Sequence, residues 1–203
     1  MLPKYLSKII SLLFVFIFTS SIVNAQIKIG LNGGANFSTF TNFGTTANIS
    51  LKRKIGFSIS AIAEYALLKK MSVRINAGYI QRGAQNRLTS GNIWYFDYLE
   101  LTPYVTYSVI NSEIIVKIIG GLSFGHLLNA KTNRFGIDFS IKDGNHLFNI
   151  ASNFGLEIEK TILPNTSLIL NGIYSVGLKD ISKTGNGQKT RDFNLNIGFL
   201  YSL

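Results

Sequence analysis

The 203-residue chain holds two histidines, His126 and His146, and no cysteine, which narrows its scope for covalent and metal chemistry. A nucleophile and its base must meet within hydrogen-bond reach. Ser123 and His126 stand three positions apart, so on an extended strand they project to opposite faces. His146 follows Asp143-Gly144, a pair expected at a hairpin tip. No catalytic residue is assigned. Two histidines without thiolates are too few for a zinc-type site unless carboxylates join them, and no metal or other cofactor is expected.

Charge is the remaining chemistry, and it falls in two groups. Lys28, Glu64, Arg74, Glu100, Lys117, Glu157 and Glu159 share the polar faces of their segments. They could form an acid–base pair or an ion path, but a buried charge in low-dielectric surroundings needs a partner. The expectation is a mutually paired network that plugs an interior. The second group lies in or beside the long connections: Lys52, Arg53, Lys54, Arg82, Arg87, Lys131, Arg134, Lys142, Lys179, Lys183, Lys189 and Arg191, against Asp97, Asp138, Asp143, Asp180 and Asp192. Such a rim could pair with lipopolysaccharide phosphates through charge-assisted hydrogen bonds, or be a solvated loop surface, and the sequence leaves both open.

The elements that would position these residues are strands. Apolar and polar residues alternate in steps of two from residue 27 onward, with no helical stripe of useful length. In the last segment Phe193, Leu195, Ile197, Phe199, Tyr201 and Leu203 alternate with Asp192, Asn194, Asn196 and Gly198. Eight such segments are expected, near 27–37, 55–67, 72–79, 98–108, 113–125, 148–159, 167–179 and 192–203. A soluble sandwich shows the same alternation, so the links must decide. Those at 39–52, 84–94, 129–146 and 181–190 are long, and those at 68–70, 109–112 and 161–165 are tight, the asymmetry of an outer-membrane barrel.

Aromatics supply a second discriminator. Tyr65, Tyr107 and Tyr201 fall near the tight turns, and Phe37, Tyr79, Tyr95, Tyr174 and Phe193 nearer the loops, as two interfacial girdles would. Gly and Ser on the polar faces suit the crowded interior of an eight-stranded closed sheet. Pro103 predicts a bulge or break in the fourth strand. Asp143-Gly144, between Phe139, Ile141 and Leu147, predicts a hairpin tip that carries the fifth and sixth strands beyond the bilayer.

Lys4 and Lys8 precede an apolar run from Ile9 to Phe18, followed by Val23 and Ala25 at the −3 and −1 positions of a cleavage site. This is the pattern of a secretory signal peptide, and the run is far short of the ~20 residues of a spanning helix. Residues 1–25 are therefore expected to be removed, leaving a mature domain over 26–203 and lowering the net charge from +10 to +8. With no cysteine after the site there is no thiol to acylate. A basic chain exported from the cytoplasm meets lipid phosphates rather than nucleic acid, so nucleic acid is not an expected partner.

Several short motifs run in order along the mature chain: Gly30-Leu31-Asn32, Ala35-Asn36-Phe37-Ser38, Gly56-Phe57, Gly78-Tyr79 through Gly83, Tyr98-Leu99-Glu100-Leu101-Thr102-Pro103, and Tyr174-Ser175-Val176-Gly177-Leu178-Lys179-Asp180-Ile181. In these the chain resembles the PorT-like small outer-membrane β-barrel proteins of Bacteroidetes. The resemblance implies a fold and a location, not an activity, since the family's founding member is associated with type IX protein secretion while most members have no assigned role.

The fold expected is all-β: an eight-stranded antiparallel up-and-down transmembrane β-barrel, preceded by a cleavable signal peptide. Both termini would be periplasmic and the long loops extracellular. A structural or surface-interaction role is the leading expectation. Expected partners are outer-membrane lipid and lipopolysaccharide, the outer-membrane assembly machinery, and an extracellular or secretion partner. A narrow uptake pore, a lipid-modifying enzyme, a secretion component and a soluble lipocalin-like binder stand as alternatives.

Overall fold

The computed structural model describes residues 27–41, 51–86, 92–183 and 187–203; the expected signal segment and Arg87 lie outside the described residues. Their strands are β1 (Ile27–Thr41), β2 (Leu51–Leu68), β3 (Met71–Asn86), β4 (Asn92–Asn111), β5 (Ile114–Arg134), β6 (Ile137–Ser140), β7 (Phe148–Leu163), β8 (Thr166–Gly177) and β9 (Lys189–Ser202). All but β6 close into an eight-membered antiparallel ring, in the order β1–β2–β3–β4–β5–β7–β8–β9. The ring shuts where β1 pairs with β9, from Lys28 opposite Ser202 to Thr41 opposite Lys189. That closure leaves the eight strands of the ring no free edge along the barrel wall. A side chain at Gly34 would collide with the Leu195 carbonyl, so this seam depends on its glycine.

The alternation is inside out relative to a soluble protein. Leu31 (62 % exposed), Ile55 (66 %) and Phe199 (54 %) stand on the outer wall, while Asn36, Glu157 and Asn171 are buried within. Ring contacts join strands along the wall: Phe154 meets Tyr174 at 5.4 Å, Phe57 meets Tyr79 at 5.2 Å, and His126 meets Phe148 at 5.1 Å. Phe37, Phe193, Tyr174 and Phe154 fall opposite one another across β1, β9, β8 and β7, which builds one arc of an aromatic girdle.

Two-residue turns join β2 to β3, β4 to β5 and β7 to β8 at one end of the ring, and the links between ring strands at the other end are longer. The strands run further toward the long-loop end than their alternation predicts: β3 continues to Asn86, and β4 begins at Asn92. At Pro103 the ladder between β4 and β5 skips two residues, passing from Leu101–Phe124 to Tyr104–Gly121 in unchanged register. The missing N–H interrupts the bonding without shifting it, and the register shifts of this pair lie at Asp97/Tyr98 and Ser108/Ile110.

The expected hairpin tip at Asp143-Gly144 is corrected. The turn falls at Phe135-Gly136, both at positive φ (52° and 88°), between β5 and the four-residue β6. Positive φ at both central positions is the requirement of a type I′ turn. Lys142–Gly144 instead form a single 3₁₀ turn. Ile141 beside it packs against the buried apolar cluster at the barrel mouth, and Asn145 bridges to Ser182. Those contacts draw the segment across the mouth and prevent it from continuing a strand.

A further departure lies in β2, where the register with β3 shifts between Arg53 and Ser58. Two side chains of β1 reach past this bulge to the backbone of β3. Asn36 Nδ2 donates to the Gln81 carbonyl at 2.9 Å, and Ser38 Oγ donates to the Gly83 carbonyl at 2.7 Å. Gly83 N donates back to Ser38 Oγ at 2.5 Å. Backbone groups that lose their strand partner at the bulge are thereby satisfied.

Candidate functional site

The lumen contains the seven charged residues that the sequence assigns to the polar faces. Toward the tight-turn end Arg74 lies between two carboxylates. Its Nη1 and Nη2 both donate to Glu157 at 2.6 Å, and its Nε donates to Glu64 at 2.6 Å. Lys117 Nζ sits 2.8 Å from Glu64 and 2.7 Å from Glu159, and Lys28 Nζ is 2.6 Å from the other oxygen of Glu159. Three cations thus meet three anions, and the network is neutral. Strand geometry explains the meeting: Lys28, Glu64 and Arg74 are successive cross-strand partners on β1, β2 and β3, and Lys117 faces Glu157 between β5 and β7.

A chain of polar side chains continues from this network across the barrel. Asn171 donates to Glu157 at 3.3 Å, Asn196 donates to Asn171 at 3.0 Å, and Ser58 donates to Asn196 at 2.8 Å. Beside it lies a cavity of about 50 Å³, lined by Asn76, Thr102, Tyr104 and Asn194 among others. The Oδ1 atoms of Asn76 and Asn194 are buried without a protein partner, so the space suits water. Apolar groups Ile62–Ile169–Leu200 and Tyr104–Ile119–Ile173 fill the gaps between the polar ones.

The structure places Glu100 outside this network, which corrects the expectation for that residue. It lies 2.7 Å from Arg82 Nη2, while Arg82 Nε donates to Asp192 at 2.5 Å. Neither Arg82 nor Asp192 belongs to the loop rim to which the sequence assigns them, since both are buried inside. Alternation carries the explanation, because Arg82 stays in phase with Arg74 along a β3 that does not end at Tyr79. One arginine here holds two carboxylates, with the Tyr98 ring 5.3 Å from its guanidinium.

Above Arg82 the lumen is closed by apolar side chains. Phe40, Ile80, Ala84, Trp94, Phe96, Tyr98, Leu127, Ala130 and Ile181 form one buried cluster, with Phe40 and Phe96 edge to face at 5.2 Å. Sequence reading missed this cap, although Trp94, Phe96 and Tyr98 alternate in phase with inward-facing Glu100 and Thr102. Ile181 reaches it from the connection after β8.

The remaining rim residues divide. Lys52, Arg53, Lys131, Arg134, Lys183, Lys189 and Arg191 are exposed at the long-loop end. Lys54 corrects the expectation: it is buried, 2.8 Å from Gln81 Oε1 and 4.5 Å above the Tyr95 ring. Ser123 is buried inside and His126 is exposed on the outer wall, so the two do not meet. Among the described residues no group of three or more His, Cys, Asp or Glu side chains is placed to hold a metal ion.

A closed, tilted sheet with an apolar wall and a polar, filled interior is the build of a small membrane barrel. The chain belongs to the family described as Outer membrane protein beta-barrel domain, which matches residues 21–183. It is similar in fold to Neisserial surface protein A, at 12 % identity and a TM-score of 0.60 over 87 % of this chain and 97 % of that one. It is also similar to OprG of Pseudomonas aeruginosa, at 11 % identity and 0.56 over 88 % and 96 %. A major outer membrane protein of Thermus thermophilus aligns at 14 % identity and 0.51 over 89 % and 100 %. No curated protein matches by sequence. The protein is an outer-membrane β-barrel protein.

Proposed function

We propose that this protein is a non-conducting, non-enzymatic surface barrel whose exposed basic rim engages lipopolysaccharide phosphates. The observation that carries the reading is the filled lumen, with a neutral ionic network at one end, a second ionic layer above it and an aromatic cap at the other end. With these layers occupying the interior, this reading assigns function to the surface. There the long-loop end presents Arg53, Lys131, Arg134, Lys189 and Arg191 to the outside. Charge-assisted hydrogen bonds to phosphate are the strong interactions such side chains can offer.

In this reading the tight turns and both termini are periplasmic and the long loops extracellular, the usual arrangement for such barrels. The chain is assigned to the PorT-like group within its family on the motif residues. Several of these serve the interior: Asn36, Ser38 and Gly83 bridge the bulge, and Glu100 holds Arg82. The test is retention of lipopolysaccharide by the full mature chain in nanodiscs. Replacing those five bases by glutamine is expected to lower retention at least tenfold, and equal retention overturns the lipopolysaccharide reading.

A further inference from the structure

The outer wall is not uniformly covered. Along the row Ala61–Ala77–Leu101–Phe124, which crosses β2, β3, β4 and β5, Ala77 presents only a methyl group. The row above it, Tyr79–Leu99–His126, continues across β7 to Phe148. Between these rows lies an open groove of about 360 Å³, walled by Ala77, Leu99, Leu101, Phe124 and His126.

The groove's upper end is polar. His126 is exposed on the lipid-facing wall with its ring against Phe148 at 5.1 Å. Next along the same sector Asp97 accepts from Gln81 at 3.2 Å and from Asn129 at 3.3 Å, and Tyr79 adds a further hydrogen bond. This carboxylate is thus held by three neutral donors, and the Lys54 ammonium lies close enough to interact with its charge. Lys131 follows, exposed and directly opposite Tyr95, whose other side carries the Lys54 ammonium. An apolar slot below and an imidazole and ammonium above match a phosphorylated amphiphile in both halves: chain to groove, phosphate to N–H donors.

We infer that the β3–β4–β5 sector holds one acyl chain of a phosphorylated outer-leaflet glycolipid of the lipid A class over Ala77, with its phosphate against His126 and Lys131. The inference rests on the membrane residence in the proposed function and shares Lys131 with its rim, but does not rest on capture by Arg53, Lys189 and Arg191. A side chain larger than alanine at position 77 would fill the groove from its floor. An arginine or lysine on this wall would bring charge into the apolar band, whereas a histidine at the girdle can donate to phosphate while neutral.

The test uses the full mature chain in phosphatidylcholine nanodiscs doped with lipid A, with lipid retained on release read by native mass spectrometry. Heat-dependent gel mobility checks that each variant is folded. Wild type is expected to keep at least one lipid A, Ala77→Phe to keep one fewer per barrel, and Ala63→Phe, on the wall of β2 outside the groove, to behave as wild type. His126→Phe preserves the ring contact with Phe148 but removes the donor, and is expected to weaken retention about tenfold. No retention by wild type, unchanged retention by folded Ala77→Phe, or equal loss from Ala63→Phe overturns the inference. A variant with Arg53, Lys189 and Arg191 changed to glutamine separates the two readings. If it abolishes retention while Ala77→Phe leaves it unchanged, the groove fails and the rim stands.

Discussion

Arg82 holds Glu100 at 2.7 Å and Asp192 at 2.5 Å in the interior, so this layer carries one more negative charge than positive. Arg74 differs, because its layer balances three cations with three carboxylates. Removing one partner of a buried pair leaves an uncompensated charge and costs about 3–5 kcal/mol. Arg82→Met strands two carboxylates and is expected to cost at least that much, whereas Asp192→Asn removes the surplus charge and is expected to cost only about 1–3 kcal/mol, the loss of a charge-assisted bond. Thermal unfolding followed by gel mobility in detergent checks the order, and Asp192→Asn proving the worse of the two would contradict it. The sequence showed which residues face inward but not how far the strands run. Alternation alone groups Lys28, Glu64, Arg74, Lys117, Glu157 and Glu159 correctly, since face depends only on parity. Arg82 lies beyond the expected end of its strand and Asp192 at the expected first residue of its own, so both are read as rim; a strand's end is set by what it meets, here the cap of Trp94, Phe96 and Ile181, and not by its own residue pattern.

The hairpin of β5 and β6 shows the same limit for a whole element. Asp143-Gly144 carries the better turn signature, yet the chain turns at Phe135-Gly136, because Ile141 and Asn145 are held down at the mouth by contacts remote in sequence. The cost appears at Phe135, a bulky residue at φ 52° and 81 % exposed. Left-handed backbone at such a residue costs roughly 1–2 kcal/mol, and asparagine tolerates it better. Phe135→Asn is expected to slow hydrogen exchange at the β6 amides about fivefold, the equivalent of roughly 1 kcal/mol. Unchanged or faster exchange would show that the aromatic ring, and not the backbone, sets hairpin stability. The bulge in β2 makes the complementary case. Ser38→Ala removes both bonds to Gly83, and leaving those buried groups unpaired is expected to cost about 1–3 kcal/mol in the same unfolding measurement. Serine is a common residue on a barrel's inner face, so no pattern in the sequence distinguishes this position.

For the whole molecule, closure of the ring settles where the polar residues go, and their chemistry settles whether anything passes. An eight-stranded barrel has an interior just wide enough for side chains. Here they fill it in two unlike ways in series: the ionic layers around Arg74 and Arg82, then the apolar cap from Phe40 to Ile181. Either alone would block ions, the cap by excluding water and the lower network by binding its own charges to each other. Wild-type protein in planar bilayers is therefore expected to give no conductance steps. Trp94→Ala with Phe96→Ala opens only the cap and is expected to stay silent, because the Arg74–Glu157 pair still spans the lumen below it. Adding Arg74→Ser and Glu157→Ser to the cap variant removes a cation and an anion together, leaves the lower network's charge balanced, and is expected to produce small steps in the folded fraction. Steps from the cap variant alone would mean that the ionic layer is permeable and that the protein is a gated pore whose gate is the aromatic cap.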